Sequence, residues 1–287
     1  MIARRAYLIT SALAMMALGT GLMLRSAPAD ADMGTPTQSR FTYHGQLTQG
    51  GWIVGRAPLG ATRAFLGETE LELDGQGRFF AAFDRDADGE VVLRAKKADG
   101  ALEQAKLSIA PRAWRIEHIN VARRKGGASE AWWARRKPEL DAIGAARAKE
   151  TGATGWQQGF IWPVKGRISG RFGAQRIYRG EPASYHSGMD IATGTSGTPY
   201  VAPADGVVVL AVSNFSLEGN LLIIDHGQGL NSAFLHSSKL LVKEGDAVRQ
   251  GQTIGHIGAS GRATGPHLHW SIKWRDARLD PLLFLKS

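Results

Sequence analysis

Cysteine is absent from the 287 residues. That excludes disulfides, zinc–thiolate sites and a lipid anchor on cysteine, so any metal must rest on histidine and carboxylate. Long runs with helical periodicity are few, and there is no internal repeat. No nucleic-acid-binding motif appears either, which argues against a nucleic-acid partner despite the basic charge. Glycine, in contrast, is plentiful at 36 residues. Together with short apolar runs it favours a turn-rich, mainly β protein. With 43% hydrophobic residues the chain can bury a core, and its length allows one large or two modest domains.

The one long apolar run is Ala6 to Leu24. It follows Arg4 and Arg5 and precedes Ala29-Asp30-Ala31, a small-x-small cleavage signal, so residues 1–31 read as a signal peptide. An uncleaved membrane anchor is the rival reading, and membrane contact is expected only in that case. Either way the bulk of the chain is expected outside the cytoplasm, periplasmic or secreted. Residues 1–31 hold three arginines and one aspartate, a net +2, which leaves +7 of the formal +9. An exported basic protein is expected to meet anionic envelope polymers. Its oligomeric state is not legible.

Three regions follow. Residues 32–112 alternate strand candidates (Trp52–Val54, Glu68–Leu73, Arg78–Phe83, Glu90–Ala95, Leu102–Ile109) with Gly- and Asp-Gly turns, the pattern of a small β-sandwich-like accessory domain. Asp84-Arg85-Asp86-Ala87-Asp88-Gly89 copies the start of a calcium loop. Ala95 stands where the loop needs glutamate, so it reads as an acidic hairpin turn. Residues 113–159 form a basic helical linker. It carries Arg123-Arg124-Lys125 and Arg135-Arg136-Lys137 around Trp132 and Trp133, and a helix is expected from Pro138 to Lys149. The linker reads first as a solvated helix packed by its tryptophans, and second as a wall-binding or gating segment. Residues 160–287 return to β patterns, expected to be an antiparallel catalytic domain.

Five of the eight histidines lie between positions 226 and 269. Strand side chains alternate faces, so His267 and His269 in Gly265-Pro266-His267-Leu268-His269-Trp270 can aim at one point. His186-Ser187-Gly188-Met189-Asp190 adds an imidazole and a carboxylate four apart. Imidazole and carboxylate are both zinc donors, and a hydrolytic zinc uses three protein ligands while keeping one position for water. His226, in a hairpin turn, reads as structural, and His256 as a strand residue. His44 and His118 carry no assignment.

Residues 160–285 resemble the lysostaphin/LytM-type zinc metallopeptidases, which cut peptidoglycan peptides with a duplicated-hybrid-motif-like catalytic domain. The resemblance runs in order through Gly166–Gly173, His186–Ile191, Gly197–Ala202, Asp205–Val208, Ala233–His236, Gly265–Trp270 and Asp280-Pro281. It implies that His186, Asp190 and His269 hold Zn²⁺. It also implies that His236 and His267 serve as catalytic acid–base and oxyanion-stabilising groups beside the scissile carbonyl. Phe234 stands where the family usually has Tyr, so a hydroxyl is expected to be missing near His236. Trp270 replaces a more usual Phe. The function implied is an exported zinc endopeptidase acting on peptidoglycan stem peptides or cross-links. The alternative is a non-catalytic wall-binding protein that activates another wall hydrolase, as some relatives without the ligands do. A biotinyl-carrier reading of Val242–Val248 lacks an exposed lysine signature and leaves the histidines unexplained.

Overall fold

The computed structural model describes residues 40–122 and 129–285; the expected signal segment 1–31 and the Arg123-Arg124-Lys125 cluster lie outside them. Strands dominate, nearly all antiparallel, and one α-helix, α1 (Glu130–Arg147), is present among the described residues. No helix among the described residues is long and apolar enough to cross a membrane.

Residues 42–108 form two small sheets. Thr42–Gly45, Trp52–Arg56 and Arg78–Ala82 make one, and Ala61–Leu66, Thr69–Leu71, Glu90–Lys97 and Leu102–Ser108 make the other. Ile53, Phe79 and Phe80 from the first sheet and Ala64, Leu93 and Leu107 from the second are buried in one core, the two-layer arrangement expected from the strand spacing. The Ala61–Leu66 strand is not among the sequence candidates; Thr62 and Arg63 are both exposed in succession and Arg63 pairs with Glu70, so it shows no alternation clean enough to read.

The same core continues into the C-terminal half. Trp52 lies 5.3 Å from Phe284 ring to ring, and its indole N–H donates to the Leu283 carbonyl. The Asp84–Gly89 turn docks there too. Asp84 Oδ2 accepts the Arg278 N–H, and Arg85 donates to the Gly173 carbonyl and bonds Asp86. Two of its three carboxylates, those of Asp84 and Asp86, thus bond protein donors.

The main sheet runs Ala247–Val248, Gly206–Phe215, Gly219–Asp225, Leu230–Ser237, Leu268–Trp274, Met189–Ala192 and Arg167–Gly170, with Ala277–Leu279 pairing Leu268–Trp274. Leu268, Trp270, Ile272 and Phe234 face the large core. The opposite face carries Leu221, Ile223 and Ala233, covered by Ile143 and Ala146 of α1.

The helix differs from expectation. It starts at Glu130, with Ser129 as N-cap accepting the Trp132 N–H, and Pro138 sits inside it. The Ser129 cap sets the start, and the tertiary anchor next to Pro138 carries the helix through the hydrogen bond that an interior proline removes. Nor do the tryptophans pack the helix down: Trp133 is 51% exposed and Trp132 stacks edge-on against it. The anchor is Arg136, whose guanidinium forks onto both Glu218 oxygens and reaches Glu139. Upstream, Ile116–Ile119 adds a parallel strand to Gln175–Tyr178, so part of the linker is built into a sheet.

Candidate metal centre

His186 precedes the Met189–Ala192 strand and Asp190 lies on it, paired directly across from His269. His267 sits just before the Leu268–Trp274 strand, bridged to Gly258. One donor atom each from His186, Asp190 and His269 lies within 4.8 Å of the others. In detail, Asp190 Oδ1 is 3.1 Å from His186 Nε2 and 2.8 Å from His269 Nδ1, and the two imidazole nitrogens are 3.2 Å apart. His186 Nδ1 is 3.0 Å from the Arg171 carbonyl, a partner that fixes the proton on Nδ1 and leaves the Nε2 lone pair pointing into the cluster. Two imidazoles and one carboxylate at this spacing, with the outer nitrogen of His186 already oriented, are a donor set that fits a divalent cation.

Two glycines make room for the set. A Cβ on Gly170 would lie 2.3 Å from Asp190 Oδ2, and one on Gly188 would lie 2.6 Å from His269 Nε2. Gly188 was part of the motif quoted from the sequence, but its spatial role needed the strand pairing.

The charges follow from burial and neighbours. Burial opposes ionisation of Asp190, yet the two imidazoles outweigh it and hold the carboxyl far below the usual range. Burial likewise opposes a proton on His186, but the Asp190 carboxylate prevails and raises its pKa. For His269 burial wins and its pKa falls.

His267 and His236 flank this cluster. His267 Nε2 is 3.8 Å from Asp190 Oδ1, and its Nδ1 is 2.8 Å from the Gly265 carbonyl. The His236 ring is 4.9 Å from that of His267, and its Nδ1 is 2.8 Å from the Ser260 carbonyl. Both carbonyls therefore take an Nδ1–H and leave Nε2 as the free nitrogen. Burial first, then the neighbouring His267 and His269, lower the pKa of His236 and favour its neutral form.

His236 reaches this face by a device that alternation does not predict. Asn220 pairs with Ser237 and Leu222 with Phe234, so Leu235 and His236 together oppose Leu221 alone. This is a β-bulge, and His236 adopts φ 66°, the left-handed region uncommon for a residue with a side chain. Without the bulge His236 would share the buried face of Phe234. Phe234 itself stacks on Tyr200 at 5.5 Å inside the core, and the Tyr200 hydroxyl bonds Ser237. The expectation that a missing hydroxyl at position 234 bears on His236 is therefore corrected: the two side chains lie on opposite faces. His226 is fully buried and bonded through both nitrogens, to the Asp205 carbonyl and the Ser232 hydroxyl, which suits the structural reading.

Residues 184–281 match the model of peptidase family M23. The chain is 42% identical over 114 residues to a peptidoglycan DD-endopeptidase, ShyA, of Vibrio cholerae, covering 39% of this chain and 26% of that protein. It is 35% identical over 124 residues to the murein hydrolase activator NlpD of Escherichia coli, covering 43% of this chain and 30% of the other. It thus spans less than a third of the length of either relative. A solved structure described as a peptidase M23 of Pseudomonas aeruginosa superposes with a TM-score of 0.57 at 26% identity, over 84% of this chain and 95% of that one. The match, the fold and the histidine–aspartate cluster fall on the same stretch: residues 184–281 are a domain of peptidase family M23.

Proposed function

We propose that this protein is an exported zinc endopeptidase that hydrolyses peptide bonds in the stem peptides or cross-links of peptidoglycan. In this reading residues 1–31 direct export to the periplasm or beyond. Residues 32–112 are accessory, 113–159 link, and 160–287 carry the catalysis. One observation carries the proposal: His186, Asp190 and His269 converge as donors, while His236 and His267 flank them without joining the set. Zinc held there would supply Lewis acidity toward a carbonyl and toward water. The Nε2 atoms of His236 and His267 take the proton of the attacking water and return it to the leaving amine, and in their protonated form donate to the developing oxyanion. Neutral His236, kept so by burial and its neighbours, is suited to the first of these roles.

Likeness to NlpD favours a second reading, a non-catalytic activator of another wall hydrolase. Digestion of purified sacculi by the zinc-loaded full chain, with fragments identified by mass spectrometry, separates the two. Release of peptide-cleaved fragments that stops on chelation supports the peptidase. No release alone, but stimulation of an added amidase, supports the activator.

A further inference from the structure

A cavity of ≈ 320 Å³ opens beside His269, between α1 and the sheet face that carries the cluster. Lys273 stands on that face four residues along the strand from His269, on the order of 13 Å away at ~3.3 Å of rise per residue. Its cross-strand partners are Arg278 on one side and Asn231 on the other. Arg147, from the last turn of α1, reaches in and bonds Asn231 Oδ1. Three cations from three separate segments thus converge at one end of a cavity whose other end is His269.

Their charge is poorly balanced. Glu218, the one carboxylate lining the cavity, is already forked by Arg136. Among the described residues Arg147 and Arg278 make no salt bridge, Arg278 lying instead against Tyr185, and Lys273 pairs with the solvated Asp276 at 3.9 Å with weaker support from Asp84. Burial, and then Arg278, work against the charge of Arg147; burial, and then Arg147, work against that of Lys273. Clustered cations held against their own repulsion are the form an anion site takes.

We propose that Arg147, Lys273 and Arg278 form a subsite for a free carboxylate of the peptide whose backbone lies over His269. It rests on the peptidase reading above and adds a substrate class: acidic stem peptides with an unamidated carboxylate. An extended chain advances about 3.3–3.6 Å per residue, so the subsite reads a group within about four residues of the metal centre.

The test uses the full zinc-loaded chain and two probes, a muropeptide with free carboxylates and the same muropeptide with those carboxylates amidated. Binding is measured for the wild type, Lys273→Gln and Arg278→Gln. Arg278 is exposed, and equal thermal midpoints check that the variants are folded. The wild type is expected to bind the carboxylate form roughly tenfold tighter, the scale of one charge-assisted hydrogen bond, and each substitution to remove most of that preference while leaving the amidated form unaffected. Equal affinity for both probes, or equal weakening of both by the substitutions, overturns the subsite. Retention on phosphatidylglycerol vesicles that depends on Lys273, with no preference between muropeptides, assigns the cations to a lipid surface and overturns it as well. Cleavage of the cross-linked forms is read separately. Preference without hydrolysis leaves the subsite standing and removes the peptidase; hydrolysis without preference does the reverse.

Discussion

Gly188 leaves the space that the His269 ring occupies: a Cβ there would lie 2.6 Å from His269 Nε2 and 2.6 Å from the Trp270 carbonyl oxygen. The second contact is backbone, so the strand pair cannot yield by rotating a side chain. Gly188→Ala is expected to push His269 off its donor position and weaken zinc binding roughly 10–100-fold, the usual cost of disturbing a ligand's support. Competition titration with a chromogenic chelator measures it. Unchanged affinity would mean that His269 is not a ligand or that the strand moves freely.

The five site residues are expected to divide into two groups. His186→Ala, Asp190→Ala and His269→Ala each remove a donor, so zinc content should collapse and chelator sensitivity of the melting temperature should vanish with it. His236→Ala and His267→Ala should keep zinc and lose roughly 10²–10⁴-fold in hydrolysis, the scale for acid–base or oxyanion groups. Metal content and rate for all five decide it. Loss of zinc in His267→Ala with retention in His269→Ala would reverse the assignment of that pair.

Arg136 holds α1 to the loop before the Gly219–Asp225 strand, and the Glu218 carbonyl in turn accepts the His236 N–H at 2.9 Å. Arg136→Ala leaves the largely buried Glu218 without its cation and Glu139 with only the solvated Arg135, which should cost about 3 kcal/mol. The exposed pair Lys137–Asp141 on the same helix is the control: Lys137→Ala should leave the unfolding midpoint essentially unchanged, because a solvated pair is screened. Urea unfolding of the two variants gives the comparison, and similar small losses would show that α1 is not anchored by Arg136.

His226 gives the fold an acid limit. Its burial lowers the pKa from 6.5 to about 4. Between those values the unfolded chain binds more protons than the folded one, so stability is full above pH 6.5 and falls as pH drops toward 4. The contribution is at most about 3.5 kcal/mol, from about 1.4 kcal/mol per unit. Denaturation at a series of pH values should show this slope in the wild type and lose it in His226→Gln, which lacks the titrating group whatever its overall stability. An unchanged slope would place the acid sensitivity elsewhere.

Much of the centre was legible in the chain because its signals are local. His186 and Asp190 stand four apart with a glycine between them, and His267 and His269 alternate onto one side; both facts follow from backbone periodicity. The strands Arg78–Ala82 and Glu90–Lys97 were likewise visible, expected as Arg78–Phe83 and Glu90–Ala95, because apolar residues and turn glycines bound them. Other features depend on partners that no local pattern names. The bulge that turns His236 toward His267 exists only because Leu221 opposes two residues. The parallel pairing of Ile116–Ile119 and the seating of Trp52 on Phe284 are set by packing between distant segments. The meeting of Arg147, Lys273 and Arg278 is set the same way, since strand register and helix docking, not sequence spacing, bring those charges together. Residue types and their periods thus determined which groups could do the chemistry, and tertiary pairing decided which of them face one another, because register and burial are properties of two segments at once.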